Sequence, residues 1–250
     1  MINDTLAVSK CGREAIKKNA FINSFMETHR LVLSQEKSVL LHFGKDNKCV
    51  LPCPDLMVHK DNMKKTVSTK YLGNILSTAG GQGENIEDRR SRGWGKVSTI
   101  MGILSEVDMG KHRLEVGLML RQAILISSML YSAEAWSDIT EKQLARMEVV
   151  DSSLLRRLTD GHVKCATEFL HLETGTWKLR HHLTYLRLMY HHHILQRDDT
   201  ETIKKIYEKQ KTNFVKGDCF QLLLKDFEFI KKDLNEKEIC EMPKKCTRKL

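Results

Sequence analysis

The chain contains no Cys-x-x-Cys pair, although it has seven cysteines. Cys49 and Cys53 lie four apart, Cys240 and Cys246 six apart, and Cys11, Cys165 and Cys219 stand alone. An odd count at irregular spacing indicates neither a disulfide framework nor a zinc ribbon, so reduced thiols in the cytoplasm or nucleus are expected. Cys49 and Cys53 could be joined to zinc only through His42 or His59, at a spacing that matches no standard module. No basic stretch followed by an apolar run opens the chain, and no signal peptide is expected. No Ser-His-Asp order or pair of glutamates stands out. Gly80-Gly81-Gln82-Gly83 lacks the preceding strand and the Lys-Thr of a phosphate-cradling loop. There is no internal repeat, and the basic end is the one biased tract.

What remains is an ordinary globular composition: 250 residues, 41% of them hydrophobic, enough to bury one large core or two small ones. The formal net charge of +9 favours an anionic partner such as nucleic acid. Part of that excess comes from Pro243 to Leu250, which has four Lys or Arg and no acid. Gly117 to Trp136 is long enough to span a bilayer but contains Arg121, Gln122 and Glu134. A charge at a bilayer centre costs about 2.5–3.5 kcal/mol on insertion scales, so a buried core helix is expected and no membrane partner.

The pattern changes near Gly83. Before it, Ile2, Leu6 and Val8 suit a short strand, Gly12 a turn, and Ala15 to His29 a helix with Ile16, Phe21 and Phe25 on one face. Val39 to Phe43 reads as a second strand and Lys45 to Asp55, with Pro52 and Pro54, as a loop. Leu56 to Val58 and Tyr71 to Leu76 could pair as a hairpin or form two edges. After Gly83 every periodic segment is helical: Ile86 to Leu104, Leu114 to Ala135, a helix from Thr140, Ala166 to Glu173, Lys178 to Gln196, Thr202 to Gln210 and Phe220 to Lys232. Thr140 and Gln143 have capping-box spacing. Leu144, Met147, Asp151, Leu154, Leu155 and Leu158 line one face, with Asp151 a buried, hydrogen-bonded group. Gly161 suits a left-handed helix stop. The fold class expected is mainly α with a small α+β amino-terminal part.

Several stretches fall in one order: Met1-Ile2-Asn3-Asp4-Thr5-Leu6-Ala7-Val8, then Leu31-Val32-Leu33-Ser34-Gln35-Glu36-Lys37-Ser38, then Lys70-Tyr71-Leu72-Gly73. Leu130-Tyr131-Ser132-Ala133-Glu134-Ala135-Trp136 and Thr167-Glu168-Phe169-Leu170-His171-Leu172-Glu173-Thr174-Gly175 follow. From Met1 to about Lys211 this order resembles the downstream half of the reverse transcriptase of non-LTR retrotransposons: the end of the palm, the thumb and the connector. The resemblance implies a palm remnant over 1–80 with a primer-grip-like hairpin, a thumb-like bundle over 81–176, connector helices over 177–232 and a basic, disordered tail over 233–250. It also implies an exposed palm face and poor solubility.

The same resemblance implies specific roles. Asp4 would be the second acid of the catalytic signature and a magnesium ligand in a complete palm, while Asn3 stands where the first Asp belongs. An amide is a neutral ligand, and magnesium prefers hard anionic oxygen, so the substitution should remove most of the hold on the ion. The acid of the earlier strand would lie before Met1. Lys37 would face the incoming nucleotide. Lys70, Tyr71, Leu72 and Gly73 would grip the primer, with Gly73 allowing close approach to the backbone. Arg89, Arg90, Arg92 and Lys96 around Trp94 would track an RNA/DNA template–primer. Alternatively they form a solvated turn offset by Glu84, Glu87 and Asp88, with Trp94 as a core anchor. His182 and His193 lie too far apart on one helix, about 15 Å, to share an ion.

Three readings stay open on the sequence. One is an inactive fragment of an RNA-directed DNA polymerase that retains template–primer binding and needs no cofactor of its own, though Mg2+ is implied by the family. The second is an active reverse transcriptase whose amino-terminal half is not written here. The third is a helical interaction module. Oligomeric state is left undetermined.

Overall fold

The computed structural model describes residues 5–43, 55–58, 61–78, 80–106, 110–136, 139–213 and 218–230. The fold is mostly helical with a few short strands. It divides into two compact units, Met1–Gly81 and Gln82–Leu250. The expected catalytic signature at Asn3 and Asp4, Cys49, Cys53, His59 and the basic tail lie outside the described residues.

The first unit is held together sparsely. Its helix α1 runs from Gly12 to Thr28, so Gly12 opens the helix rather than making a turn before it. The Lys10 amide donates to the Glu14 carboxylate at 2.8 Å, giving the first turn an acid where the helix dipole favours one. Arg30 takes the left-handed conformation just past the helix end, and the Leu31 amide donates to the Met26 carbonyl. Residues 5–9 form no strand, contrary to the alternation of Leu6 and Val8. No residue of α1 is buried, and Ile16, Phe21 and Phe25 face outward. The tie between α1 and the strands is polar: Asn19 and Asn23 both donate to the Met57 carbonyl, at 2.9 and 3.0 Å.

Among the described residues, six short strands complete this unit: β1 (Val39–Leu41), β2 (Met57–Val58), β3 (Asp61–Asn62), β4 (Lys64–Thr66), β5 (Ser68–Tyr71) and β6 (Asn74–Ser77). β1 pairs with β4 in parallel, while β2–β3 and β5–β6 are antiparallel. The segment around Leu56–Val58 therefore pairs with its immediate successor and not with Tyr71–Leu76. Local closure by a two-residue link costs less chain entropy than a distant pairing, and here it prevails.

The second unit is built on α2 (Gly83–Glu106) and α5 (Glu141–Leu158), which pack side by side. Ile86, Val97, Ile100 and Leu104 of α2 meet Leu144, Met147, Val150, Leu154 and Leu158 of α5 in one buried cluster. Gly93 allows the close approach, since a Cβ there would lie about 3 Å from Met129 and Val150 side chains. The expected single helix over Leu114–Ala135 is a composite. A turn at Gly110–His112 leads into α3 (Arg113–Leu120), a widened π-type stretch (Arg121–Ile126), α4 (Ser127–Met129) and a tight turn at Ala133–Ala135. Gly110–Ala135 is apolar and long enough to cross a membrane. Leu125, Ile126, Met129 and Leu130 are nevertheless buried against α2 and α5, and Arg121 lies inside in an ion pair, which is how a core helix is filled.

α5 begins with the anticipated capping box: the Thr140 hydroxyl accepts from the Gln143 amide at 3.2 Å, and the Gln143 side chain accepts from the Thr140 amide at 2.9 Å. It ends one residue earlier than the glycine suggests. Asp160, not Gly161, adopts the left-handed conformation, and the Gly161 amide donates to the Arg156 carbonyl at 2.8 Å. Then follow α6 (Thr167–Glu173), α7 (Leu179–Leu195), α8 (Thr202–Thr212) and α9 (Cys219–Phe229). α7 packs against α5, and the helices from α6 onward share the unit of α2 and α5. A second cluster, Ile194, Tyr207, Phe220, Leu223 and Phe227, joins α7, α8 and α9.

Candidate nucleic-acid interface

Lys70 and Tyr71 end β5, and Leu72-Gly73 make the two-residue turn into β6, with Tyr71 opposite Asn74. Both turn residues have positive φ, 45° at Leu72 and 80° at Gly73. That is the turn whose twist matches a right-handed hairpin, normally built from Asn-Gly or Gly-Gly. Gly73 meets the demand freely. Leu72 does not, since a branched side chain in the left-handed region costs about 1–2 kcal/mol. Leu72 is also exposed. A strained, solvent-facing leucine at a hairpin tip is an observation that points to a use for the tip. Lys70 is exposed beside it.

Lys37 lies in a turn two residues before β1 and is exposed. The turn is closed by Ser38, whose amide and hydroxyl both donate to the Ser34 carbonyl, at 3.0 and 2.7 Å. Ser34 thus closes the turn that carries Lys37 through its main chain. Asp4, the expected metal ligand, is outside the described residues. Among the described residues, no three His, Cys, Asp or Glu side chains come together as a metal site.

The cationic cluster of α2 separates by face. Arg89 is buried; its guanidinium lies 4.9 Å over the Tyr131 ring and Nη1 approaches the Ser128 carbonyl at 3.4 Å. Desolvation by burial lowers its pKa. Arg89 thus turns inward and ties α2 to the end of the composite helix. The residue sits at the same helical position as Ile86 and Gly93, one turn before and after, and that position faces the core. Arg90 pairs with Glu87 at 2.8 Å and Arg92 with Asp88 at 2.7 Å, both half-exposed. Trp94 is half-buried and packs on the core cluster, so its anchoring role is met whatever else its edge touches. Lys96 is exposed.

Arg146 of α5 had no signal in the sequence that joined it to this cluster. It reaches Glu87 at 3.1 Å, so Arg90 and Arg146 share one carboxylate across the α2–α5 seam. The exposed pairs are individually weak, worth about 0–1 kcal/mol each, and an incoming phosphate could displace their carboxylates. The α2–α5 seam therefore offers Arg90 and Arg146 around Glu87, while Arg92 with Asp88 and the exposed Lys96 lie on another flank of α2.

The helical unit also holds a buried polar group around Arg121 and Asp151. Arg121 donates through Nε and Nη2 to the two oxygens of Asp151, both at 2.6 Å, and through Nη2 to the Trp177 carbonyl at 3.0 Å. His171 stands 4.0 Å from both Glu148 and Asp151. The His182 ring tilts against Trp177 with centroids 5.5 Å apart. Burial, then the nearby Arg121 charge, pushes the His182 pKa down to about 4. Burial also lowers His171, assisted by Arg121 and opposed by Asp151. Glu148 is raised by burial although it accepts from the Arg180 and Leu179 amides at the start of α7. The group contains no nucleophile poised beside a base; its contacts tie the π-type stretch at Arg121 to α5, α6 and α7. No family model matches the sequence, and no curated protein or solved structure matches it.

Proposed function

We propose that the chain derives from the reverse transcriptase of a non-LTR retrotransposon and that its retained activity is binding of an RNA/DNA template–primer, without polymerisation by this chain alone. The observation that carries the reading is the hairpin tip: Lys70-Tyr71-Leu72-Gly73 stands at a tight turn with an exposed, strained Leu72, directly before a helical unit in the order the resemblance implies. The lack of catalysis rests on Asn3, an amide where the signature needs an acid to hold magnesium. In the helical unit the half-exposed Arg90 and Arg92 and the exposed Lys96 and Arg146 supply cations for a phosphate backbone, and Lys70 supplies one at the hairpin of the first unit.

Primer extension with magnesium or manganese on an RNA template is expected to give no product. Extension abolished by Asp4→Ala would overturn that expectation and favour an active polymerase. A second reading, a helical interaction module, draws on the inward turn of Arg89 and on the exposed apolar residues Val163, Phe169 and Leu172 around α6. It would gain if the chain failed to bind a hybrid duplex at low salt.

A further inference from the structure

A cavity of about 420 Å3 lies among α7, α8 and α9, and the turn at Ala133–Ala135 contributes Glu134 and Ala135 to its wall. That volume is in the range of small-molecule sites. Arg187, Tyr190, His191 and Ile194 recur at three- and four-residue spacing on one face of α7 and line one side. α8 brings Ile203, Ile206 and Tyr207, and α9 brings Phe220 and Leu223. The walls are mainly aliphatic and aromatic, with Thr202 and Gln210 adding neutral polar groups from α8.

Three titratable side chains line the cavity, and they differ in what they offer a ligand. The charge of Arg187 is met by Asp226, its Nη1 donating to Oδ2 at 3.0 Å, and its Nε and Nη2 are buried. His191 is buried too, its ring against those of Tyr207 and Phe227 with centroids 5.3 and 6.2 Å apart. Glu134 is only half-buried, and its carboxylate has no hydrogen bond or ion pair to any described residue. An ionised carboxylate is an acceptor with no proton to give, so it favours a cationic donor and repels an acid. Thr202 and Gln210 can each donate or accept, and they do not choose between charges. The rings of Tyr190, Tyr207 and Phe220 suit an ammonium group as well as hydrocarbon.

We propose that the cavity among α7, α8 and α9 binds a small amphipathic amine, its ammonium group on Glu134 and its apolar body among Ile194, Ile203, Ile206, Tyr207 and Leu223. The apolar walls alone would accept any hydrocarbon of fitting size; the unpaired carboxylate is what selects the charge of the head. The net charge of +9 on the whole chain works against indiscriminate uptake of cations, so a preference for the amine has to arise locally.

The test uses the full chain, with octylamine, octanol and octanoate as probes of equal apolar length, titrated calorimetrically below their micelle-forming concentrations. Octylamine is expected to bind about ten-fold more tightly than octanol, and octanoate more weakly than either. Glu134→Gln keeps the shape of the side chain and removes its charge, so it should bring octylamine to the affinity of octanol while leaving octanol binding unchanged. Ile206→Trp fills the cavity from its exposed wall and should abolish binding of both, with the helical circular dichroism retained. Absence of octylamine binding or equal affinity for octylamine and octanol in the unaltered chain would overturn the proposal. So would an amine preference that survives Glu134→Gln, or octylamine binding undiminished in Ile206→Trp.

Discussion

Arg121 and Asp151 are 2% and 0% exposed, and they pair at 2.6 Å. A pair this deep gains little over a well-packed apolar pair, because both ions lose their hydration. Breaking it is another matter. Asp151→Asn leaves the guanidinium buried with half its partner gone, and should lower unfolding free energy by about 3–5 kcal/mol. Urea unfolding followed by circular dichroism measures this; a loss below about 1 kcal/mol would contradict the assigned role. The aspartate was visible in the sequence as the one polar member of a leucine face. Its partner was not, since an arginine inside an apolar stretch gives no sign of which distant acid it will meet.

His182 adds a pH dependence at the same place. Its folded pKa, about 4, lies below the ordinary value of 6.5, so between those values the unfolded chain holds a proton that the folded chain does not. Stability therefore rises with pH across that window and is fully present above about 6.5. The lowered His171 acts in the same direction, while the raised Glu148 acts oppositely, from 4.5 upward. Urea midpoints measured at pH 7.5 and pH 5.0 should fall on acidification, and His182→Gln should reduce the difference. An unchanged difference in the variant would show that the dependence lies elsewhere.

At the scale of elements, the sequence was most legible where a local rule had no competitor. The Thr140–Gln143 box formed as its spacing implies, and Thr140→Ala should cost about 1 kcal/mol. The faces of α2 and α5 followed from the 3.6-residue period because a large core rewards that period along the whole helix. Legibility failed where two choices were nearly equal. Gly161 and Asp160 could each have taken the left-handed position, and an aspartate tolerates it well enough for the helix to close one residue sooner. The long apolar segment carried too many hydrophobic residues to show that its turns widen at Arg121–Ile126, where the helix buries Arg121 and then continues. The partner of Leu56–Val58 stayed open in the sequence because very short strands carry no period to read, and β3 takes that place. Leu72 gives the element-scale prediction for the other unit: Leu72→Gly relieves the strained turn and should stabilise the hairpin by about 1 kcal/mol, unless ligand contact is its use. Loss of template–primer affinity together with that gain would mark Leu72 as a contact.

The molecule contains a helical unit with a continuous core and an amino-terminal unit whose helix α1 has no fully buried residue. The contrast follows from composition along the chain. After Gly83 apolar residues recur on continuous faces, whereas before it they are scattered among short strands and on an α1 face that stays exposed. The coarse division into a small mixed part and a larger helical part was readable from that change alone. The candidate interface was readable only in outline. Charge and family order pointed to the start of α2, but which arginine turns inward is decided by helical phase against a partner helix, and Arg146 enters only through the α2–α5 packing.

The most direct measurement of the central claim is the affinity of the full chain for an RNA/DNA hybrid primer–template as salt rises from 50 to 200 mM. Binding should weaken roughly 40-fold if about three phosphates are neutralised, and Lys70→Ala and Lys96→Ala should each flatten the slope by about one contact. No binding at 50 mM, or an affinity indifferent to salt and to both substitutions, would contradict template–primer binding as the retained activity.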